Sequence, residues 1–467
     1  MNEITTLTEL SDILAAQKQH FSQAPYPSYQ QRIDDLKALK KLVLDNQAAF
    51  IEAMSQDFGH RSVDDSLIGD VLTTISGMNY TIKRLKSWMK PVRKHVGPLL
   101  QPAKAEVLYQ PLGVIGIIAP WNYPLHTPIN AIIPALLAGN TIILKHSSQT
   151  PLCAERIVEA FTRAGVPEGV IQYLHMDHNN TELLIKSKEI SGVAFTGSLE
   201  TARTIKQQLA QLPSIIPLIA ETGGQNVMLA DSSAHTEQLV QDAVQSAFNS
   251  AGQRCSALRV LYLPDDNADH IISRIIGVMQ QLVIADPQDS HSDIGPLINV
   301  SAAEQLIIHV EIMRQQAKIL FEVKLDKHLE SPCFFPPTLI ELSSLTQLSK
   351  ENFGPILHII RYHSNQLEQV IDEINASGYG LTLGIHSRIN STIDTIVKNS
   401  KVGNIYVNRH MIAAVVGVQP FRGMGLSGTG PKAGGPHYLL RFANEQTVTI
   451  NTAAIGGNAS LLAKDLD

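Results

Sequence analysis

The sequence predicts an α/β fold in which two successive blocks of strands and helices alternate along the chain. In the first block, from about residue 112, short runs rich in Ile and Val are separated by segments of helical length. A second block of the same kind follows Glu221, and residues 28–90 carry apolar side chains at helical spacing. Such alternation requires crossover connections, which favour parallel sheets with helices on their faces.

The first block is predicted to form a parallel sheet of the Rossmann type, in which ligands bind beyond the carboxyl ends of the strands. Its predicted strands are 114–118, 141–144, 170–174 and 193–195, and its predicted helices are 128–137, 151–164 and 181–188. The second of these helices is expected to begin with Thr150 as its N-cap and Pro151 at its first position, and Gly165 is expected to end it.

The second block is predicted to be a separate α/β domain. Its predicted strands are 259–263, 319–323, 357–362 and 403–407, and its predicted helices are 267–284, 301–316 and 365–375. Residues 104–110 and 447–451 alternate like exposed strands, and neither has a predicted partner within the chain. Both are therefore expected to pair with another subunit.

The composition argues against several classes of protein. The chain has 467 residues, of which 44% are hydrophobic and 17% charged, ordinary values for a globular protein of two or three domains. A net charge of −6 argues against nucleic acid or an anionic membrane as the main partner. Neither a secretory signal nor an apolar run of membrane-spanning length is visible, so a cytoplasmic location is expected. The three cysteines are too scattered for a disulfide framework or a zinc site, and no metal is expected.

Cys255 is the first candidate for a catalytic group. It follows a helical apolar pattern over 239–248 and the helix-breaking Gly252, and it precedes a strand-like run. A thiol beside Arg254 on such a connection can act as a nucleophile if its surroundings lower its pKa below the usual value of about 8.5. The alternative is a small buried apolar side chain.

Glu221 and Asn122 are candidates for a general base and an oxyanion donor. Glu221 lies between two apolar strand-like runs and precedes two glycines, so a partly desolvated carboxyl with a raised pKa is expected; the alternative is a capping carboxylate. Asn122 follows the first strand, where its amide can point into the ligand cleft; the alternative is a turn residue between two prolines.

A phosphate-binding segment is predicted at residues 195–198, where a strand ends and a helix begins. Gly197 lets the backbone approach a ligand, and Ser198 with the free N–H groups of the helix start suits a phosphate. Lys145, at the end of another strand, could hold ribose or phosphate oxygens; a solvated lysine is the alternative.

These segments together, in this order, resemble the aldehyde dehydrogenase superfamily over nearly the whole chain, and Glu351-Asn-Phe-Gly-Pro355 and Pro420-Phe421 add two further segments of that family. The resemblance implies an aldehyde dehydrogenase-like α/β fold with a Rossmann-type cofactor domain, an α/β catalytic domain and a small β oligomerisation element. The implied boundaries are 1–96 with 112–223 for the cofactor domain, 224–430 for the catalytic domain, and 97–111 with 431–467 for the oligomerisation strands and the tail. A homodimer or homotetramer is expected.

The resemblance also implies a mechanism. Cys255 would attack the aldehyde carbon, Asn122 and the Cys255 backbone N–H would hold the oxyanion, and Glu221 would activate water to hydrolyse the thioester.

The cofactor implied by the resemblance is NAD or NADP. Glu351 would hold the nicotinamide ribose, Phe353 would pack near the ring and Ser198 would meet the pyrophosphate. The implied cofactor-binding residues are Ile118, Ala119, Pro120, Trp121, Lys145, Ser148, Gly197, Ser198, Thr222, Gly223, Glu351 and Phe353.

One departure from the family bears on the choice between the two cofactors. Members that prefer NAD usually carry Glu at the position of Ser148. Its absence removes repulsion against a 2′-phosphate, with which Lys145 or His146 could pair. NADP is therefore expected to be at least tolerated.

The rear half is most similar to one branch of the family, the glutamate semialdehyde (pyrroline-5-carboxylate) dehydrogenases, including that domain of the bifunctional proline utilisation proteins. The segments that carry this similarity are 255–260, 403–409, 414–421 and 425–436. In that branch a Ser and two loop N–H groups bind the substrate α-carboxylate; the matching residues are Ser256, Ala413 and Ala414. Phe421 would pack on the aliphatic part. The implied reaction oxidises L-glutamate γ-semialdehyde to L-glutamate in proline catabolism.

Several residues depart from the pattern of that branch. Ala413 stands where the branch usually has Gly, and Arg422 and Met424 replace a Gly and a Glu beside the pocket. His410 replaces an Asn and is expected to be structural. The front third is more similar to the aldehyde dehydrogenases that act on coniferyl or fatty aldehydes, in residues 57–62, 88–91 and 109–116. An aliphatic or aromatic aldehyde is therefore a second candidate substrate, and a catalytically silent nucleotide-binding relative is a third interpretation.

Overall fold

The computed structural model describes residues 5–23, 26–98, 101–167, 169–176, 178–329, 331–412, 419–435 and 437–452. Within them the chain forms a five-stranded, a seven-stranded and a three-stranded sheet, with a two-stranded ribbon beside them. Helices pack against the two larger sheets, and both sheets are largely parallel. The predicted α/β class is therefore confirmed.

The helices of the described residues are α1 (Leu7–Gln23), α2 (Tyr29–Asp45), α3 (Gln47–Phe58), α4 (Thr73–Trp88), α5 (His126–Leu137), α6 (Pro151–Arg163), α7 (His178–Ile185), α8 (Leu199–Leu209), α9 (Thr236–Phe248), α10 (Ala268–Met279), α11 (Val300–Gln316), α12 (Leu367–Ala376) and α13 (Asn390–Asn399). A π-helical segment, Asp65–Leu72, leads directly into α4.

The strands of the described residues are β1 (Val92–Lys94), β2 (Ala103–Pro111), β3 (Val114–Ile118), β4 (Thr141–Lys145), β5 (Ile171–Tyr173), β6 (Ile190–Gly197), β7 (Leu218–Thr222), β8 (Val227–Ala230), β9 (Val260–Pro264), β10 (Lys318–Glu322), β11 (Thr338–Leu342), β12 (Ile356–Tyr362), β13 (Tyr379–Gly380), β14 (Thr382–His386), β15 (Asn404–Val407), β16 (Met424–Gly425) and β17 (Ala443–Asn451).

The five-stranded sheet is parallel throughout, with the strand order β5-β4-β3-β6-β7. Every residue of β3 and β4 is buried, which explains why these strands appear in the sequence as unbroken apolar runs. The register pairs Ile118 with Lys145 and with Phe195, and it pairs Gly197 with Thr222. The carboxyl ends of four strands therefore meet at one edge, where the chain segments that follow them lie together.

The seven-stranded sheet has the order β10-β11-β12-β9-β8-β14-β15, in which only the described edge strand β10 is antiparallel to its neighbour. Its central strands are fully buried, and α9, α10 and α11 contribute to the same core. Cys255 lies in the connection from α9 to β9, and Glu221 lies on β7 of the other sheet. The candidate site is therefore built where the two sheets approach each other.

The three-stranded sheet joins two stretches that were predicted to lack a partner in the chain. β17 pairs with β2 in antiparallel register, from Ala443 opposite Pro111 to Asn451 opposite Ala103, and β1 pairs with the other side of β2. The expectation that 104–110 and 447–451 lack a partner within the chain is therefore wrong, whereas their pairing with another subunit stays a prediction. Alternation within a strand does not reveal which distant strand it meets. Within the described residues, β17 is an edge of this sheet.

The start of α6 is predicted correctly, but its capping side chain is not. Thr150 occupies the N-cap position, yet within the described residues its side chain makes no capping hydrogen bond. Asp57, at the end of α3, accepts instead from the backbone N–H groups of Leu152 (3.1 Å) and Cys153 (2.9 Å). The Thr150 hydroxyl bonds His146 Nδ1 at 2.9 Å. Burial raises the pKa of the Asp57 carboxyl to about 6.

No helix within the described ranges combines the length and the apolar character needed to cross a lipid bilayer.

Candidate active site

The loop that carries Cys255 has a left-handed backbone and is pressed against a second loop. Ser250, Ala251 and Gly252 have consecutive positive φ angles of 53°, 52° and 66°. A Cβ on Gly252 would lie 2.2 Å from the carbonyl oxygen of Gly354, so a side chain there would push the two loops apart. The loop of the candidate nucleophile, residues 249–259, which is called the nucleophile loop below, is therefore fixed against the loop that contains Gly354.

Arg259 connects these two loops through four hydrogen bonds. Its side chain is buried, with only 1% of the residue exposed. Nη1 donates to the carbonyl oxygens of Gly252 (2.8 Å) and Gly354 (3.2 Å). Nη2 donates to the carbonyl oxygen of Arg254 (3.1 Å) and to Glu351 Oε1 (3.0 Å). One guanidinium thus fixes the loop of the nucleophile and the loop of Glu351 relative to each other.

Cys255 is a free, partly buried thiol. Burial raises the pKa of this thiol, the carboxylates of Glu221 and Glu351 raise it further, and the Ser256 N–H and Arg259 act in the opposite direction. The thiol is therefore protonated near neutral pH in this state of the protein. Nucleophilic attack requires the loss of that proton, because the thiolate is the reactive form.

Glu221 lies on β7, and the neighbouring backbone is held by a late loop. Thr222 N–H donates to the carbonyl oxygen of Ser427 (3.2 Å), and Glu221 forms an antiparallel bridge with Gly428. Burial raises the pKa of the Glu221 carboxyl, and Arg422, whose Nε lies 3.8 Å from Glu221 Oε2, lowers it. A buried carboxyl with a raised pKa can accept a proton near neutral pH.

Asn122 follows β3 and reaches the loop of the nucleophile. Its Nδ2 donates to the carbonyl oxygen of Gln253 at 3.2 Å, two residues before Cys255. The side-chain amide thus lies beside the loop of Cys255, where the predicted oxyanion donor would act.

One cavity of about 350 Å³ brings together most of the catalytic and substrate candidates. Cys255, Glu221, Ser256 and Phe421 line it, and the wall also carries the polar side chains of Asp64, Asp65, Tyr123, His126, Gln245, Arg254 and His410. Among the described residues Asn122 instead lines an adjoining cavity of about 60 Å³, with Trp121 and Gln253. Ala413 and Ala414, the other two residues of the predicted carboxylate anchor, lie outside the described residues.

Arg254 was predicted to favour the thiolate of Cys255, but it is engaged elsewhere. Its Nη2 lies 3.1 Å from Asp65 Oδ1, and the hydroxyl of Ser250 donates to the other oxygen of the same carboxylate. Its Nη1 donates to the carbonyl oxygen of Ile412 at 3.4 Å, immediately before the predicted anchor loop. Arg254 therefore connects the cavity wall to the nucleophile loop, with its charge balanced by Asp65.

Glu351 lies directly on the glycine pair that follows Glu221. A Cβ on Gly223 would lie 1.7 Å from Glu351 Oε2, and the Gly224 backbone hydrogen bond stabilises the carboxylate. Burial raises the pKa of Glu351, and the ion pair with Arg259 lowers it. The absence of a side chain at Gly223 is thus what allows this carboxylate to reach the edge of the first sheet.

The remaining predicted cofactor residues meet at the carboxyl edge of the five-stranded sheet. Ser198 is the N-cap of α8, and its hydroxyl accepts from the Thr201 N–H at 3.2 Å. The rings of Trp121 and Phe353 meet edge to face with centroids 5.7 Å apart. Ile118, Ala119, Pro120, Lys145, Gly197, Thr222 and Gly223 lie at or just beyond the ends of β3, β4, β6 and β7.

This donor set fits a dinucleotide. The N-terminus of α8 at Ser198 is the positive end of the helix dipole and suits a pyrophosphate, and Lys145 adds a positive charge at the end of a nearby strand of the same sheet. The Glu351 carboxylate is an acceptor suited to ribose hydroxyls. Within the described ranges, no group of three His, Cys, Asp or Glu side chains is arranged to hold a metal ion.

His146 is buried and bonded on both ring nitrogens, contrary to the expectation that it could pair with a 2′-phosphate. Its Nε2 lies 2.8 Å from the carbonyl oxygen of Pro124, and its Nδ1 bonds the Thr150 hydroxyl. Burial lowers the pKa of His146 to about 4, so the ring is neutral at physiological pH. Ser148, by contrast, is exposed beyond the end of β4.

Residues 5–448 match the model of the aldehyde dehydrogenase family. The chain belongs to this family. The segments around Asn122, Glu221, Cys255 and Glu351, which carried the resemblance in the sequence, all fall within the matched range.

Several curated relatives of this family member are longer than the chain. It is 47% identical over 348 residues to the bifunctional protein PutA of Klebsiella aerogenes, covering 72% of the chain and 26% of that protein. It is 42% identical over 403 residues to PutA of Rhizobium meliloti, covering 85% of the chain and 32% of that protein. The chain thus spans about a quarter to a third of the length of these PutA proteins.

A relative of more similar length is the 1-pyrroline-5-carboxylate dehydrogenase of Anoxybacillus flavithermus. It is 32% identical over 349 residues, which is 73% of this chain and 67% of that protein.

Solved structures show the same fold. A crystal structure of bifunctional proline utilization A superposes with a TM-score of 0.92 at 41% identity, covering 98% of this chain and 46% of that chain. The methylmalonate-semialdehyde dehydrogenase of Oceanimonas doudoroffii superposes with a TM-score of 0.89 at 23% identity, covering 97% of this chain and 93% of that chain. At that identity the second likeness shows the fold alone.

Sequence reasoning missed two residues that organise the site of this aldehyde dehydrogenase. Arg259 was noted only as the first residue of a predicted strand and as part of the segment that resembles one branch, and Asp65 was not noted at all. A buried arginine directly after a nucleophile segment is the signal for the first, because a buried charge needs fixed partners. The pairing of Asp65 with Arg254 joins residues 189 positions apart, and the local sequence gives no signal for it.

Proposed function

We propose that this aldehyde dehydrogenase oxidises L-glutamate γ-semialdehyde to L-glutamate through a thioester on Cys255, with NAD or NADP as the cofactor. The observation that carries the proposal is that Cys255, Glu221 and Ser256 line one cavity, so a nucleophile, a base and a hydroxyl donor face the same space. Relatives named PutA and 1-pyrroline-5-carboxylate dehydrogenase support the substrate.

The chemistry follows from the positions of three groups. After its proton passes to solvent water, Cys255 attacks the aldehyde carbon, and the side-chain amide of Asn122 with the Cys255 backbone N–H stabilises the oxyanion. A bound nicotinamide supplies the hydride acceptor for the oxidation. Glu221 then accepts a proton from the water that attacks the thioester carbon, the S–C bond breaks, and the carboxylic acid leaves.

The cofactor is held by the carboxyl edge of the first sheet. The start of α8 at Ser198 would bind the pyrophosphate, Lys145 would bind ribose or phosphate oxygens, and Glu351 would bind the nicotinamide ribose. We propose that NADP is accepted as well as NAD, because the exposed Ser148 presents no negative charge to a 2′-phosphate.

The cavity suits a substrate that carries charges of both signs. Ser256 is buried beside the nucleophile and would donate to the α-carboxylate together with the N–H groups of Ala413 and Ala414. Asp64 and Arg254 add a negative and a positive side chain to the wall of the same cavity. Phe421 would contact the methylene groups.

The test is a steady-state comparison of glutamate semialdehyde, succinic semialdehyde, coniferaldehyde and hexanal, each with NAD and with NADP. We expect kcat/KM for glutamate semialdehyde to exceed the others by at least about tenfold, since losing one charge-assisted hydrogen bond costs about 1.5–3 kcal/mol. Ser256→Ala should raise KM for glutamate semialdehyde and leave KM for hexanal unchanged. A preference for any other aldehyde would overturn the substrate assignment.

We also propose that the three-stranded sheet mediates assembly into a homodimer or homotetramer. β17 offers a nine-residue edge whose side chains are mostly exposed, and long edge strands are usually covered in soluble proteins. Sedimentation velocity of the full chain should give two or four times the mass of one subunit. A single species with the mass of one chain would contradict this assembly.

A further inference from the structure

Arg422 is a buried guanidinium placed directly behind the candidate base. Only 2% of the residue is exposed, and its Nε lies 3.8 Å from Glu221 Oε2. The guanidinium lies over the ring of Tyr438, 4.8 Å from its centroid, and Nη2 lies 3.1 Å from the Tyr438 hydroxyl. Nε and Nη1 have no hydrogen-bond partner among the described residues. Glu221 is therefore the anion that balances this buried charge.

The backbone around Arg422 is fixed, so the guanidinium has little freedom to leave. The Arg422 carbonyl oxygen accepts from Asn404 Nδ2 at 3.2 Å, and a Cβ on Gly403 would lie 2.1 Å from the same oxygen. The preceding residue, Phe421, exchanges two backbone hydrogen bonds with Ala433. These contacts hold the loop on the side of the cavity where Glu221 lies.

The groups that face Glu221 are few and of defined charge. Arg422 is the cation, Cys255 is a thiol whose pKa Glu221 raises, and Tyr438 is a buried hydroxyl whose pKa Glu221 also raises. Arg422 is absent from the described residues that line the 350 Å³ cavity, whereas Glu221 and Tyr438 are present. Arg422 is thus placed to act on the reaction through Glu221 and not by contact with the substrate.

We propose that Arg422 is a positioning residue that holds the Glu221 carboxylate as an anion, ready to accept a proton from the water that hydrolyses the thioester. This inference rests on the proposed acyl-enzyme mechanism. It assigns Arg422 to deacylation alone. Glu221 accepts a proton from water only in that step, and the attack of Cys255 on the substrate does not require it.

Removing the positive charge of Arg422 should slow deacylation without slowing acylation. Without Arg422 the buried carboxyl of Glu221 loses the interaction that favours its anion, so its pKa rises. The acid limb of the deacylation rate should therefore move to higher pH. Acylation of Cys255 should not slow, because a protonated Glu221 no longer raises the pKa of the thiol.

The experiment uses p-nitrophenyl acetate, whose reaction needs no cofactor and no aldehyde. The Cys255 sulfur attacks the ester carbon, the C–O bond breaks with release of p-nitrophenolate, and water then cleaves the S–C bond to give acetate. The first turnover reports acylation as a burst, and the steady-state rate reports deacylation.

We compare wild type with Arg422→Gln, Arg422→Lys and Tyr438→Phe over pH 6–9. Arg422→Gln should keep the burst, lose at least about tenfold in steady-state rate at pH 7, and shift the pH midpoint of that rate up by about one unit. Arg422→Lys, which keeps the charge, should keep the midpoint. Tyr438→Phe, the matched control, removes a hydrogen bond to the same guanidinium and should also keep it.

The outcomes separate the inference from the proposed function. A wild-type protein whose release of p-nitrophenolate is unchanged by Cys255→Ala would remove the acyl-enzyme mechanism itself. A wild-type burst combined with an unshifted midpoint in Arg422→Gln would overturn the role of Arg422. If Arg422→Gln does not fold, as judged by its far-UV circular dichroism, Arg422→Lys decides, and a shifted midpoint in that variant would overturn the inference.

Discussion

The guanidinium of Arg259, directly before β9, and the carboxylate of Glu351, in the loop before β12, form a 3.0 Å ion pair. Only 1% of the Arg259 side chain and 16% of the Glu351 side chain are exposed. The same arginine also binds the backbone of the nucleophile loop. The positions of the nucleophile and of the predicted ribose ligand therefore depend on one buried charge.

Replacing Arg259 with Met should destabilise the protein strongly. The change leaves the Glu351 carboxylate and three loop carbonyls without their donor, and breaking a buried ion pair in this way costs about 3–5 kcal/mol. Urea denaturation should show a loss of that size in the free energy of unfolding. Arg156→Met, which breaks an exposed pair with Glu159, is the control and should change it by less than about 1 kcal/mol. Equal effects of the two changes would contradict the assigned role of Arg259.

Replacing Glu221 with Gln should make the Cys255 thiol more reactive while stopping turnover. The Glu221 carboxylate raises the pKa of the thiol, so its neutralisation should lower that pKa and increase the thiolate fraction below the pKa. Alkylation by iodoacetamide at pH 8 should therefore be faster than in the wild type, and it should rise with pH in both proteins. Turnover should fall by about 10²–10⁴-fold, since the general base is lost. Alkylation no faster than in the wild type would show that Glu221 does not act on the thiol.

Replacing Asn122 with Ala should reduce kcat with little change in KM. Its amide lies beside the nucleophile loop, and removing an oxyanion donor typically costs about 10²–10³-fold in kcat. Asn122→Asp, of similar size but without the N–H donor, should be at least as impaired. Wild-type kcat in Asn122→Ala would remove this residue from the oxyanion site.

Replacing Ser148 with Glu should lower the activity of the protein with NADP relative to its activity with NAD. A carboxylate at this exposed position would repel a 2′-phosphate, so kcat/KM for NADP relative to NAD should fall by at least about tenfold. Cofactor binding measured by quenching of tryptophan fluorescence should change in the same direction. Gln149→Glu adds the same charge one residue further on and should have a smaller effect. If the wild type already rejects NADP by several hundred-fold, the proposal of dual use is wrong.

The sequence predicts the strands of the first sheet well because they are short, apolar and separated by helices with clear start signals. It does not predict β14, whose central Gly384 interrupts the apolar run. In the fold a Cβ on Gly384 would lie 3.0 Å from the side chain of Met228, so the glycine serves close packing between strands. It also misses α13, in which Ile396 is the one buried residue among those described. Its apolar residues Ile393, Ile396 and Val397 have helical spacing, so the sequence does contain a signal for this helix.

The candidate site was predictable to the extent that its residues lie in motifs at strand and helix ends. Parallel strands bring such ends to one edge, so the meeting of Gly197, Thr222 and Lys145 follows from topology. The electrostatic balance of the site was not predictable. Whether Arg254 faces Cys255 or Asp65, and whether His146 is free or bonded on both nitrogens, depends on loop packing that no local pattern encodes.

The pairing of β2 with β17 also sets the order in which the protein can be completed during its synthesis. About 330 residues separate Pro111 from its partner Ala443, and the whole seven-stranded sheet is encoded between them. At a ribosomal rate of about 5–20 residues per second, one edge of β2 waits roughly 15–65 s for its partner strand. During that interval the edge can accept the wrong strand, including β17 of another nascent chain. Slow translation of residues 112–442, or premature release of the chain within them, should therefore increase the fraction of entangled or aggregated chains. The nucleophile loop, which is synthesised before β17, should be affected less.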